Sequence, residues 1–241
     1  LEAEYGRPED YVPPADGVVA VGRMEAFLAV RETLAPSRSE LAAVLVELDS
    51  GTEGVAGVLR KIGAGVSIVP RLLDFVDERN RALAAEGMGV GEYLYVYGLA
   101  YYAWLGKDPA DGPSFTVSDH ADDGVGFRWD DDGSDGGDGG SDDPDEVRRR
   151  RSRQIRHYLN EIQVRMLANQ RDEARARGLN EAWLSRLEAE HAALDADPAR
   201  LMWQDGLPEP MADAFAPFRD RLEDTYLPVM NVVEVGLVDH D

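Results

Sequence analysis

The chain has 241 residues, with 25 basic against 47 acidic side chains, a formal charge of −22, four histidines and no cysteine. That charge opposes a phosphate backbone, whose non-specific affinity comes from cations displacing counterions, so nucleic acid is not expected as a partner and anionic lipid surfaces are poor partners for the whole chain. Without cysteine there is no disulfide, thiolate zinc site, iron–sulfur cluster or cysteine nucleophile.

Lysine stands only at Lys61 and Lys107, every other basic residue being arginine, while 27 of the acids are aspartate. Such a balance suits a chain hydrated in high salt, where like-charge repulsion is screened, although a GC-rich genome alone would also favour Arg over Lys. The length allows one or two domains. No window reaches the roughly 20 apolar residues of a membrane helix; the nearest, 87–105, carries Glu92. The sequence starts at Leu1 and not at Met. An upstream signal or anchor, if removed, would make the chain envelope-associated and extracytoplasmic; otherwise it is cytoplasmic.

Residues 1–16 contain Pro8, Pro13 and Pro14, which remove backbone donors and disfavour helix, so the segment reads as an extended lead-in. Helical spacing follows in Met24, Phe27, Leu28 and Leu34, then in Leu41, Val44, Leu45 and Leu48. Ser37 and Glu40 form an S-x-x-E capping box that predicts a helix start near residue 38. A glycine-dotted stretch carries Val55, Val58, Leu59, Ile62 and Val66, and a second stripe carries Leu72, Val76, Arg79 and Leu83 up to a Gly87 cap. From Tyr93 to Leu105 nearly every residue is apolar or aromatic, as in a helix buried on all sides.

Residues 106–143 lose periodicity and become rich in Gly and Asp, predicting a disordered linker. Asp143, Pro144, Asp145 and Glu146 then start a long helix that Gly178 ends. Its inward face is Ile155, Tyr158, Leu159, Ile162 and Met166. Asn180 caps the next, whose inward residues are Trp183, Leu184, Leu187, His191 and Leu194; Asp197 and Pro198 open a short helix holding Leu201 and Trp203. The last stretch carries Phe215, Phe218, Leu222, Tyr226 and Val229, interrupted by Pro217 and Pro228. Val232–Val238 reads as either a helix end or a short strand.

Several clusters invite a chemical reading. The run 130–143 resembles a calcium loop in its density of Asp, but Gly133 stands where a ligand belongs and Asp142 replaces the bidentate Glu; calcium is therefore not expected. Six arginines between Arg148 and Arg156 form a basic helix start that the neighbouring acids neutralise. His157 with Glu161, and Glu188 with His191, stand at metal-ligand spacing, although a di-iron bundle needs two Glu-x-x-His pairs and this chain has one. Tyr93, Tyr97 and Tyr101 form a stripe at helical spacing, read as core packing or as the lining of a ligand groove. Gly63 and Gly65 fall short of a dinucleotide loop, since Ile68 occupies the third glycine's place. Ser118, Asp119 and His120 are adjacent and cannot form a relay.

These readings predict an all-α chain, a bundle of about seven or eight helices in two halves, 17–105 and 144–241, joined by the linker at 106–143 and centred on the apolar helix. No cofactor, metal or catalytic residue is assigned. The function that fits is a non-catalytic protein-interaction or scaffolding module, binding a protein partner or itself. The alternative is a helical metal- or ligand-binding enzyme using His157, Glu161, Glu188 and His191 or the tyrosine stripe.

Overall fold

The computed structural model of the chain describes residues 1–49, 68–112, 115–121, 124–129 and 144–236. Where the sequence predicts an extended lead-in, one helical turn spans Glu2–Tyr5 and a 3-10 turn spans Pro8–Asp10, whose first position accepts a proline because its amide is unpaired in any case. Then come α1 (Val21–Thr33), α2 (Ala35–Asp49), α3 (Ile68–Ala85) and α4 (Val90–Tyr97), which runs on as a π-helical turn over Gly98–Trp104. A hairpin of β1 (Phe115–Ala121) and β2 (Gly124–Trp129) comes next. Then follow α5 (Pro144–Ala176), α6 (Glu181–Ala196), α7 (Glu209–Phe215), α8 (Arg219–Thr225) and α9 (Asn231–Gly236). The chain is thus dominantly helical. The glycine-dotted stretch at 51–67 and the calcium-like run at 130–143 lie outside the described residues.

The helix ends follow local chemistry. Gly87 and Gly178 take φ of 57° and 68°, the left-handed conformation that glycine adopts without penalty. Beyond each, an amide reaches back five positions, Met88 N to the Leu83 carbonyl and Leu179 N to the Ala174 carbonyl, closing a Schellman turn. Asn180 accepts from Trp183 N at 2.9 Å and caps α6. One predicted start moves: α2 already runs from Ala35, because Pro36 is tolerated in a first turn whose amides are unpaired in any case. Ser37 therefore lies inside the helix.

Two further expectations change. Part of the segment read as disordered linker is the antiparallel hairpin, with Phe115 opposite Trp129 and Val117 opposite Phe127. Its apolar residues alternate with Thr116, Ser118, Gly126 and Arg128, the period-two pattern of a strand, which the Gly and Asp content around it hides. Residues 197–206 form turns and not a short helix. Their amides bond to side chains, Met202 N to Gln163 Oε1 at 2.8 Å and Trp203 N to Glu190 Oε1 at 2.7 Å, and so are unavailable to a helical ladder. Trp203 sits at φ 57°, a conformation that costs a bulky residue strain.

The chain gathers into two compact units: 1–35 with 78–108 and 156–226, and 36–77 with 109–155 and 227–241. Each draws on stretches from both sides of residues 106–143. In the second unit Leu41, Leu45, Leu72, Phe75, Val233 and Val235 are buried. Arg38 Nε donates to Glu234 Oε1 at 2.7 Å with both side chains almost wholly buried, and Asn231 donates to the Asp111 carbonyl.

In the first unit every residue from Tyr93 to Tyr102 is buried, while Ala103, Trp104 and Leu105, expected to be buried with them, are half-buried. The π-helical turn explains how so many rings fit. Leu105 N bonds to the Ala100 carbonyl five positions back, and the wider turn lets Tyr97 meet both Tyr101, at 4.6 Å between centroids, and Tyr102, at 5.6 Å.

Candidate peptide-recognition groove

The histidines and carboxylates at metal-ligand spacing do not assemble. His157 Nε2 lies 3.5 Å from Glu161 Oε1 on the surface of α5, with side chains 58% and 66% exposed. Glu188 is engaged by Arg175, and His191 is half-buried. Among the described residues no group of three or more His, Cys, Asp or Glu could hold a metal ion. The buried carboxylate of α6 is instead Glu190, which accepts from Trp203 N and from Arg200 Nη2 at 3.0 Å.

The tyrosine stripe is core and not the lining of a groove. Tyr93, Tyr97 and Tyr101 are at most 1% exposed and make a chain of tilted and edge-on ring contacts from Phe27 to Tyr226. Arg31 of α1, itself fully buried, lies 5.2 Å from the centroids of both Tyr97 and Tyr101. Its Nη1 donates to Tyr93 Oη at 2.9 Å and its Nη2 to the Thr225 carbonyl. Burial opposes the Arg31 charge, but Tyr101, Tyr93 and Tyr97 outweigh it and hold its pKa above the usual value. Burial pushes the Tyr97 and Tyr102 phenols up. The cation and rings close the core of this unit.

The groove lies elsewhere in the same unit, under the arm of residues 7–17. Three prolines leave the arm short of amide donors while its carbonyls stay free to accept. Every backbone-to-backbone hydrogen bond of residues 4–17 among the described residues is local, spanning three or four positions. What holds the arm is side chains. Asn169 Nδ2 of α5 donates to the Glu9 and Tyr11 carbonyls at 3.1 and 3.2 Å. Gln170 Nε2 donates to the Pro14 carbonyl at 2.7 Å, and Trp183 Nε1 of α6 to the Ala15 carbonyl at 2.7 Å.

Side chains complete the fit. Pro13, Ala15 and Gly17 are buried while Val12 and Asp16 are exposed, so alternate residues face the groove. The Tyr11 ring packs on Tyr95 at 5.7 Å, and burial, then Glu92, raises the Tyr11 pKa. Arg165 lies 3.6 Å from the Glu9 carboxylate. Two glycines permit the close approach: a Cβ on Gly91 would stand 2.5 Å from the Pro8 carbonyl oxygen, and one on Gly17 2.8 Å from Met211 Sδ and 3.0 Å from Trp183. At Gly17 the chain turns back at φ 78°, its amide bonded to the Pro14 carbonyl at 2.8 Å.

The arm passes from a 3-10 turn at Pro8–Asp10 through Tyr11–Pro14 to the turn at 15–17. It is held by its carbonyls through amide and indole donors, the donor chemistry by which aromatic-lined grooves take proline-rich peptides. From sequence alone residues 1–16 read as a lead-in, because the donors that hold them lie far along the chain, at Asn169, Gln170 and Trp183. The available signal was Asn160, Gln163, Asn169 and Gln170, amides interspersed along the apolar stripe of α5, since a buried amide needs partners. Comparison with known proteins finds no family model, no curated protein and no solved structure that matches the chain.

Proposed function

We propose that the chain is a non-catalytic helical module for protein interaction, whose first unit recognises extended, proline-containing segments. The observation that carries this reading is the arm in its groove. Residues 9–15 are bound like a ligand, by four donated hydrogen bonds from Asn169, Gln170 and Trp183. The groups that invited a catalytic reading lie apart: Tyr93, Tyr97 and Tyr101 in the core, Glu188 with Arg175, and His157 with Glu161 on the surface. The surface that bears −22 charges suits a module kept hydrated in salt.

The test is selection from a displayed library of extended peptides on the purified full chain, beside a chain carrying Asn169→Leu and Gln170→Leu. Enrichment of proline-containing segments on the first chain and its loss on the second supports the reading. Equal selection by the two chains, or none by either, overturns it.

A further inference from the structure

We propose that Trp203 is a positioning residue for the clamp of Asn169, Gln170 and Trp183 that holds the arm: its strained backbone lays its ring against Trp183 and so fixes the Trp183 indole N–H on the carbonyl of Ala15. This inference rests on the reading of the groove as a site that grips main-chain carbonyls, and it names the residue that sets one of the donors.

Trp203 carries two costs. Among the described residues it is the one non-glycine residue at positive φ, 57°, which a bulky side chain adopts only where its surroundings over-determine it. Its side chain is buried, at 5% exposure, and its indole N–H has no acceptor among the described residues, where a buried indole usually finds one. What the conformation gains is the stack. The rings of Trp203 and Trp183 lie 15° from parallel with centroids 6.0 Å apart.

The surroundings that over-determine Trp203 are built on the helices of the clamp. Glu190 Oε1 accepts from the Trp203 amide at 2.7 Å. Glu190 and Trp183 both lie on α6, about two turns apart, so one face of that helix presents both the stacked ring and the carboxylate that sets the stacking residue. Arg200 Nη2 holds that carboxylate at 3.0 Å, Gln163 of α5 holds the Met202 amide at 2.8 Å, and the Trp203 carbonyl accepts from Gly206 N at 2.9 Å. On the other side, the Trp183 N–H reaches the Ala15 carbonyl at 2.7 Å, while the edge of its six-membered ring lies against Gly17, where a Cβ would stand 3.0 Å from Trp183 Cζ2. Trp183 is only half-buried. Without a ring on its face it regains other rotamers, and water then competes for the Ala15 carbonyl.

The test is the solvent exchange of the Trp183 indole proton in the full chain, followed by NMR and identified by its loss in Trp183→Phe. Three replacements of Trp203 separate positioning from space-filling. Trp203→Gly keeps the turn, since glycine takes φ 57° without penalty, and removes the ring. Trp203→Leu supplies an apolar side chain without a flat face, and Trp203→Phe a flat face without the N–H. Exchange at Trp183 should rise several-fold in Trp203→Gly and Trp203→Leu and stay near the wild-type rate in Trp203→Phe, with the backbone amides of α4 and α6 protected as before. Equal rates in Trp203→Leu and Trp203→Phe, or a rise that the α4 amides share, overturn the proposal. The Leu and Phe variants decide it alone if Trp203→Gly fails to fold. If the order holds while the peptide library is not enriched, the clamp serves the chain's own arm and only the peptide reading falls; if the library is enriched and the order is absent, positioning by Trp203 falls and the peptide reading stands.

Discussion

Trp183 donates its indole N–H to the carbonyl of Ala15 at 2.7 Å, across 168 positions of sequence. The bond joins a half-buried ring on α6 to an arm with no backbone ladder. Trp183→Phe keeps most of the ring and deletes the donor. We expect a loss of about 1 kcal/mol, the net worth of a typical hydrogen bond. Hydrogen exchange should rise at residues 8–17 and leave α4 unchanged. Uniformly faster exchange through the unit would show that Trp183 supports the core and not the arm.

Arg31 separates charge from shape. Its guanidinium lies over the rings of both Tyr97 and Tyr101 while donating to Tyr93 Oη and the Thr225 carbonyl, a combination of ring stacking and forked donation that a compact ammonium does not reproduce. Arg31→Lys retains the cost of burying a cation and forfeits the stacking, whereas Arg31→Met forfeits both charge and cost. We therefore expect Arg31→Lys to lower the denaturant midpoint more than Arg31→Met. The opposite order would assign the stabilisation to charge.

In the second unit, Glu234→Gln leaves Arg38 with a neutral acceptor in a site where both partners are nearly inaccessible. Breaking a buried pair from one side costs about 3–5 kcal/mol. Replacing both, as Arg38→Met with Glu234→Leu, should cost less than the single change. A double variant at least as unstable as Glu234→Gln would contradict this account of the pair.

Alkaline pH should unfold the first unit. The folded pKa of Tyr95, Tyr97 and Tyr102 is raised, first of all by burial, above the ordinary value of 10.0. Above that value the unfolded chain releases phenolic protons that the folded chain retains, so stability is complete below pH 10 and declines as pH rises. Tyrosinate absorbance and loss of helical circular dichroism should appear together. Tyrosinate absorbance from these rings with the helices intact would show that they ionise in place.

Monovalent salt should raise the melting temperature smoothly, without preference for one cation. Exposed pairs such as Arg221 with Glu25 and Glu32 contribute at most about 1 kcal/mol each and weaken on screening. The self-repulsion of a chain with charge −22 is relieved by the same screening and is the larger effect. A melting temperature that falls with salt would reverse that ranking.

The helical class, the caps at Gly87, Gly178 and Asn180, and the burial of Tyr93–Tyr102 were legible because each is a local or periodic property. The hairpin was obscured by composition averaged over too long a window. The turn at 197–206 and the arm were illegible for a different reason. Their backbone partners are Gln163, Glu190, Asn169 and Gln170, brought near by the fold and not by sequence proximity. Metal-ligand spacing misled in the opposite direction: His157 and Glu161 have the right separation, but their face of α5 looks into solvent.

Helix α5 grips two irregular stretches by their main-chain carbonyls, with Asn160 reaching those of Leu194, Asp197 and Arg200 as Asn169 and Gln170 reach those of the arm. A carbonyl is the same atom whatever residue bears it. Mutational tolerance should therefore be lopsided, with Val12 and Asp16 open to wide replacement and the amides of α5 admitting almost none. Replacement is confined to those outward positions, because Pro13, Ala15 and Gly17 are buried and a Cβ on Gly17 would meet Met211 and Trp183.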